Sequence, residues 1–306
     1  MSDATADHLA WEARRRPRAG TAAILAGLLT LLGALVRILS LNDVPRPSFA
    51  ESLGRAAEPG RLGTLRSLRE PLYQYIDDHA VGLIASNVLA ALGFVGTAVA
   101  VAYLARAVAA RRTEMPAAVV YLPYIGGAIL AVETLLLGIG TVQAAHDFLT
   151  GPRTVDAAQD LSSNGLLVTA QLLQLAGILA IGAAFVMISL NAMRVGLLTR
   201  FMGVLGIIVG VLSVLPLGGP VPVLQIFWLI ALGAVILGFW PNGVPPAWRS
   251  GRAQPWPSSQ QGRQARRAQV QRRGGGPAPE PVEEPVTVPS GSAQPGSRKR
   301  KRKRRQ

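Results

Sequence analysis

Two charged side chains sit deep inside apolar runs. They are Arg37, in GTAAILAGLLTLLGALVRILSLN, and Glu133, in ILAVETLLLGIG. Charges within a hydrocarbon-length run are rare and costly, and they are usually paired or turned toward a protein interior. Counted from Gly20 and Ala117, each lies roughly 25 Å along its run at 1.5 Å per residue. Equal depth on helices of the same direction predicts an ion pair between them. The other use of Glu133 is to face a polar cavity and exchange protons or hold a cation. Asn87, Gln171, Gln174 and Gln225 are the polar residues that would join it. Gln171 and Gln174 are three apart, on one helix face. Such residues also serve as interhelical hydrogen bonds worth about 1 kcal/mol.

A second group, Asp77, Asp78 and His79 with His146 and Asp147, flanks two of the runs. Imidazole and carboxylate suit a divalent metal, but the residues come from two loops without diagnostic spacing, so no metal and no cofactor is assigned. The chain has no cysteine, which removes disulfides, thiolate metal sites and cysteine nucleophiles. It contains no HExxH, GxSxG or GxxxxGK[ST]. The sequence therefore predicts no enzyme.

The elements that must carry these residues follow from hydropathy. Half of the 306 residues are hydrophobic and 16% are charged, against about 25% in a soluble domain. Apolar runs of about 20 residues cross the roughly 30 Å hydrocarbon layer as helices. They fall at about 20–42, 82–105, 117–142, 165–190, 201–217 and 222–240, joined in the last case by LGGP with Pro216, Pro220 and Pro222 around it. Such a turn ends one helix and begins another. The predicted fold is all-α, a polytopic membrane protein with six transmembrane helices spanning 20–240. Residues 1–19 form a polar N-terminal segment and 241–306 a disordered tail.

Arginine sets the expected orientation. With six spans, the N-terminus, the 106–116 loop, the 192–200 loop and the tail share one side, with 4, 3, 2 and 15 Lys/Arg. The 43–81 and 143–164 segments share the other side, with 5 and 1. Short positive loops stay cytoplasmic, so both termini are expected inside a bacterial inner membrane. The bias to arginine, with three lysines only, all in the last eight residues, suggests a high-GC bacterial genome.

Segment 43–81 is patterned. Leu62, Leu65, Leu68, Leu72 and Tyr75/Ile76 recur every three to four residues, predicting an amphipathic helix bent near Pro71. It lies either in the membrane interface or over the mouth of the bundle. Gly206 and Gly210 form a GxxxG, with Gly203 and Gly93 also in runs. Small residues let helices approach closely, within one chain or, alternatively, in a homodimer. Trp240, Trp248 and Trp256 place the first part of the tail at the headgroup level. The tail is rich in Pro, Gly, Ser, Gln and Arg, which cannot bury a core. It ends in eight basic residues, Arg298, Lys299, Arg300, Lys301, Arg302, Lys303, Arg304 and Arg305. A polybasic run is drawn to anionic lipid or, non-specifically, to RNA or the ribosome.

VETLLLGIG (132–140) and GLLTRFMGVLGIIVG (196–210) give residues 20–240 a further feature. The region resembles a family of uncharacterised six-helix membrane proteins of bacteria, especially actinobacteria, defined by a domain of unknown function. The resemblance implies a six-helix bundle in which Glu133 and Arg200 recur, and it implies no activity. The expected function is that of a non-enzymatic structural, stress-related or accessory membrane component whose tail contacts anionic lipid. The rival expectation is a proton-coupled small-solute transporter using Glu133.

Overall fold

The computed structural model describes residues 3–46, 54, 64–112, 114–161, 164–215, 222–240 and 244–254. Within them the elements are α1 (Asp3–Ser40), α2 (Glu70–Asp78), α3 (Ala80–Ala109), α4 (Ala117–Thr150), α5 (Val155–Asp160), α6 (Gly165–Val195), α7 (Arg200–Val214), α8 (Val223–Leu237) and α9 (Pro246–Ser250). The described part is all-α, apart from one isolated bridge between Arg66 and Thr154. Helices α1, α3, α4 and α6 are long and apolar enough to cross a membrane. Helices α7 and α8, with 15 residues each, reach about 22 Å at 1.5 Å per residue, short of the hydrocarbon thickness.

The helices begin and end where local chemistry dictates. Asn164 caps α6 by accepting from Leu166 N–H at 2.9 Å, and Thr199 caps α7 by accepting from Met202 N–H. These hydroxyl and amide oxygens satisfy donors that a helix start leaves orphaned. Gly238 ends α8 at φ 91°, and Phe239 N–H reaches back to Ala234 O at 2.8 Å. This left-handed closure suits glycine, which has no Cβ to clash.

The apolar helices form a closed ring in the order α1, α3, α4, α6, α7, α8 and back to α1, and α3 also reaches α6 across it. Each runs antiparallel to the next, as paired positions show. Along α1 and α8, Gly20 lies against Leu237 and Gly27 against Ile230. Along α6 and α7, Gly182 lies against Gly210 and Ser189 against Gly206. Helix α3 is the hub, with Ala100, Val101, Ala102, Leu104, Ala105 and Ala107 fully buried.

Outside the ring, large apolar side chains stay exposed. They recur at helical spacing, for example Leu25, Leu28, Leu32 and Leu35 on α1, and Ile84, Val88, Leu92, Val95 and Val99 on α3. Soluble monomers rarely expose contiguous apolar patches of this extent. Helices apolar on every face are those of a membrane bundle, in which lipid takes the outer side.

The structure corrects three boundaries. The polar segment 1–19 is not separate from the first apolar run: α1 is one helix from Asp3, with Pro17 inside it. Its 38 residues measure about 57 Å, so the first turns extend beyond a bilayer. Among the described residues 64–78, the helix is α2 (Glu70–Asp78), and Pro71 opens that helix instead of bending it, because proline's missing N–H costs nothing in a first turn. Finally, 244–254 is packed against the bundle: Ala247 and Trp248 are buried. Trp248 donates to Leu197 O at 3.0 Å and is not a surface anchor. The rest of the tail, including Arg298–Arg305 and Trp256, lies outside the described residues, as does Leu62.

Candidate functional site

Glu133 is 4% exposed on α4. Three neighbouring contacts define its face. Gly126 meets Ala180 and Ile181, Leu130 meets Gly177, and Gly140 meets Leu166 and Leu167. Glu133 continues that stripe, one helical turn after Leu130, so it faces α6. Its carboxylate accepts from Thr134 Oγ1 at 3.0 Å. The expected ion pair with Arg37 is absent: Arg37 is exposed on α1, and neither residue has a salt bridge to the other. The reason is the ring. Helices α1 and α4 both pack on α3, which separates them. Nor are they level: Gly33, one turn before Arg37, lies against Ser86 and Ala90 of α3, whereas it is Gly138, beyond Glu133, that lies against Asn87.

The other polar candidates are scattered. Asn87 is buried on α3, donates to Leu83 O at 2.7 Å and fills the space beside Gly138 of α4. Gln171 and Gln174 are exposed on α6, and Gln225 is half-buried on α8. They do not assemble with Glu133 into a common polar site. The glycines are used within the chain. Gly93 packs on Thr30 and Ala26 of α1, Gly203 on Met193, Gly206 on Ser189 and Trp228, and Gly210 on Gly182 and Phe185. The GxxxG face of α7 is therefore covered by α6 and is not open to a second copy.

At the end of the bundle where α4 finishes, α2 lies over α4, with Tyr73 packed on Phe148 at 4.4 Å between rings. A charged clasp fixes it. Glu70 accepts from Arg66 Nη2 at 2.6 Å and from Arg153 Nη1 at 3.0 Å. Those bonds, that to Arg66 first, hold the Glu70 carboxyl at a pKa of about 2, below its ordinary 4.5. Ser67 N–H donates to Arg153 O at 2.9 Å, and Val155 N–H to Leu65 O at 3.0 Å. Arg153 holds this position at φ 54°, a left-handed conformation uncommon for a residue with a Cβ. Asp77 and His146 come within 3.5 Å of one another. Among the described residues no cluster of three metal-ligating side chains forms.

The opposite end holds the densest polar chemistry. Arg111, its side chain wholly buried, makes a bidentate pair with Glu12 of α1. It also donates to Ala247 O at 3.0 Å and to Ala107 O at 2.8 Å. One guanidinium thus joins α1, the end of α3 and α9. Around it Trp11 stacks on Tyr103, and Tyr103 on Trp248, at 5.5 and 5.9 Å. Tyr103 Oη donates to Glu12 O at 3.2 Å, and Arg16 donates to Ile236 O. Gln254 N–H, at the last described residue, donates to Val195 O at 3.0 Å. The arginines at the start of α1 (Arg14–Arg18), of the 106–116 loop and of the 194–200 loop therefore meet at one end, together with the start of the tail.

Sequence reasoning missed this junction. Glu12 stands in a polar stretch and looks solvated, and its partner is 99 residues away. The available signal was Trp11 beside Glu12, an aromatic in an otherwise polar leader. In comparisons with known proteins, no family model, no curated protein and no solved structure matches the chain. The geometry itself carries the functional argument.

Proposed function

We propose that this chain is a non-enzymatic, multi-pass protein of the bacterial inner membrane. It crosses six times, keeps both ends in the cytoplasm, and engages anionic lipid of the inner leaflet through its polybasic tail. One observation carries the reading: the arginine-rich loops, the start of α1 and residue Gln254 are pinned together at one end of the ring. Positive loops stay on the cytoplasmic side. A tail leaving from that end meets a negatively charged leaflet, where each basic residue contributes about 1 kcal/mol. The antiparallel ring supports an even number of crossings, with the short α7 and α8 spanning as a hairpin.

Limited proteolysis tests this in full-length protein reconstituted in nanodiscs. Phosphatidylglycerol discs should protect the 298–305 run from trypsin, and high salt should release it, because screening weakens surface charge. Equal cleavage in phosphatidylglycerol and phosphatidylcholine discs contradicts lipid contact. Protection in phosphatidylcholine discs by added RNA assigns the tail to RNA instead.

A second reading rests on Glu133, which is buried with Thr134 as its hydrogen-bond partner and without Arg37. An intramembrane carboxylate without a cationic partner is a candidate for proton or cation exchange, as in a proton-coupled transporter. Proton uptake into proteoliposomes that is abolished by Glu133→Gln supports this reading, and uptake no faster than in empty liposomes removes it.

A further inference from the structure

Beside the Glu12–Arg111 junction, α1, the end of α3 and the start of α4 enclose an open groove. It holds about 360 Å³ and is lined by His8, Trp11, Arg106, Ala109, Ala110 and Val120. We propose that this groove binds the phosphate headgroup of a single anionic phospholipid. The site is distinct from the tail, and the inference rests on reading this end as a membrane interface.

Three observations converge. The first is depth. The exposed aliphatic belt begins at Val99 on α3 and at Ile125 on α4. Arg106 lies seven residues beyond Val99 on the same helix, roughly 10 Å at helical rise, which is the headgroup layer outside the hydrocarbon. The exposed Tyr121 and Tyr124 mark the same level, as aromatic residues do at interfaces.

The second is charge. Arg106 lies over the Tyr124 ring at 5.8 Å, and among the described residues it has no carboxylate partner. Arg15 lies over the ring of Trp11, itself a groove residue, at 5.5 Å. No acidic side chain lines the groove. Glu12, on the same helix, gives both carboxylate oxygens to Arg111. His8 Nε2 is buried 3.1 Å from Glu12 Oε1, so the His8 ring lines the groove only as a wall. The groove therefore offers the Arg106 guanidinium as a donor, with no carboxylate in its own lining.

The third is shape. The remaining walls are alanine, valine and indole, and the volume falls in the range of small-ligand sites. A lipid whose phosphate meets Arg106 has its acyl chains beside Tyr121 and Ile125, on the exposed side of α4. A free phosphate would use only the upper half of such a site.

Native mass spectrometry of the full chain, released from detergent with added lipid, tests the proposal. One phosphatidylglycerol should be retained in preference to phosphatidylcholine. Arg106→Gln should weaken that first binding step about fivefold, the weight of one basic residue near an anionic surface, and Arg106→Lys should weaken it less. Ala110→Glu, an exposed substitution that adds a carboxylate to the wall, should also weaken it, and it serves if Arg106→Gln fails to fold. Replacing all eight basic residues of 298–305 by glutamine should leave this step unchanged, even where it abolishes tail protection. The proposal is overturned if neither Arg106→Gln nor Ala110→Glu alters retention, if the tail variant alone removes it, or if inorganic phosphate displaces the lipid at comparable concentration.

Discussion

Arg111→Met tests how the arginine-rich end is held together. The guanidinium is fully buried and Glu12 nearly so. Removing it leaves a buried carboxylate without its counter-ion and takes a side-chain donor from two carbonyls, Ala107 O and Ala247 O, of which Ala247 O keeps Gly251 N–H. Breaking a buried pair from one side costs about 3–5 kcal/mol, on the order of 10 °C in melting temperature for a domain of this size. Glu12→Met exposes the same imbalance from the other partner. The double change, Glu12→Met with Arg111→Met, removes both charges and should recover much of the loss, since apolar residues of similar volume often replace such pairs at little cost. The assay is thermal unfolding in mild detergent, followed by tryptophan emission. Trp11 and Trp248 stack on either side of Tyr103, so their emission should shift to the red as the junction opens. Strictly additive single and double changes, or single losses under about 1 kcal/mol, would refute a buried, coupled pair.

Three further outcomes follow. Glu70 has a folded pKa of about 2, below its ordinary 4.5. Its contribution to the clasp is therefore complete above about pH 4.5 and is lost as pH falls toward 2; hydrogen exchange at the Ser67 and Val155 amides should accelerate over that window, and less so in Glu70→Gln. Gly210→Ala forces a Cβ to within 2.7 Å of the Gly182 carbonyl, an overpacking expected to cost about 1–3 kcal/mol. Gly165→Ala meets nothing within 4 Å and should be neutral or stabilising by about 0.5–1 kcal/mol, and the two melting temperatures measured side by side check both. Arg37→Gln should leave the melting temperature unchanged because Arg37 is exposed and has no pair with Glu133, and reversing the two charges should rescue nothing.

Hydropathy alone located the elements. The expected runs starting at about 82, 117, 165, 201 and 222 begin within two residues of the helices observed, because an apolar run of that length specifies a helix without tertiary help. The glycines at helix spacing also announced close packing, and they supply it. Partner choice was less legible. Counting along the runs paired Arg37 with Glu133, but their levels along α3 differ and the ring places α3 between them. The Glu12–Arg111 pair was invisible for the opposite reason: both residues lie outside the apolar runs, where a charge is usually solvated. Trp248 gave the same kind of error. An aromatic beside a span suggests an interfacial anchor, but the short α9 turns it into the core. The helical period read from Leu62 to Ile76 starts before the helix that forms, Glu70–Asp78. Pro71 sits in the first turn of α2, and the chain before it bridges to Thr154 instead.

The most direct test of the central claim, that the arginine-rich junction is one cytoplasmic end of an even-crossing ring, uses the absence of native cysteine. Single substitutions Ala6→Cys, Glu114→Cys and Ser250→Cys report on that end, and Asp77→Cys and Asp156→Cys on the other. Each is labelled with a membrane-impermeant maleimide in right-side-out and inside-out vesicles. The first three should label only in inside-out vesicles and the last two only in right-side-out vesicles. Labelling of Ser250→Cys from the side opposite Ala6→Cys would contradict it.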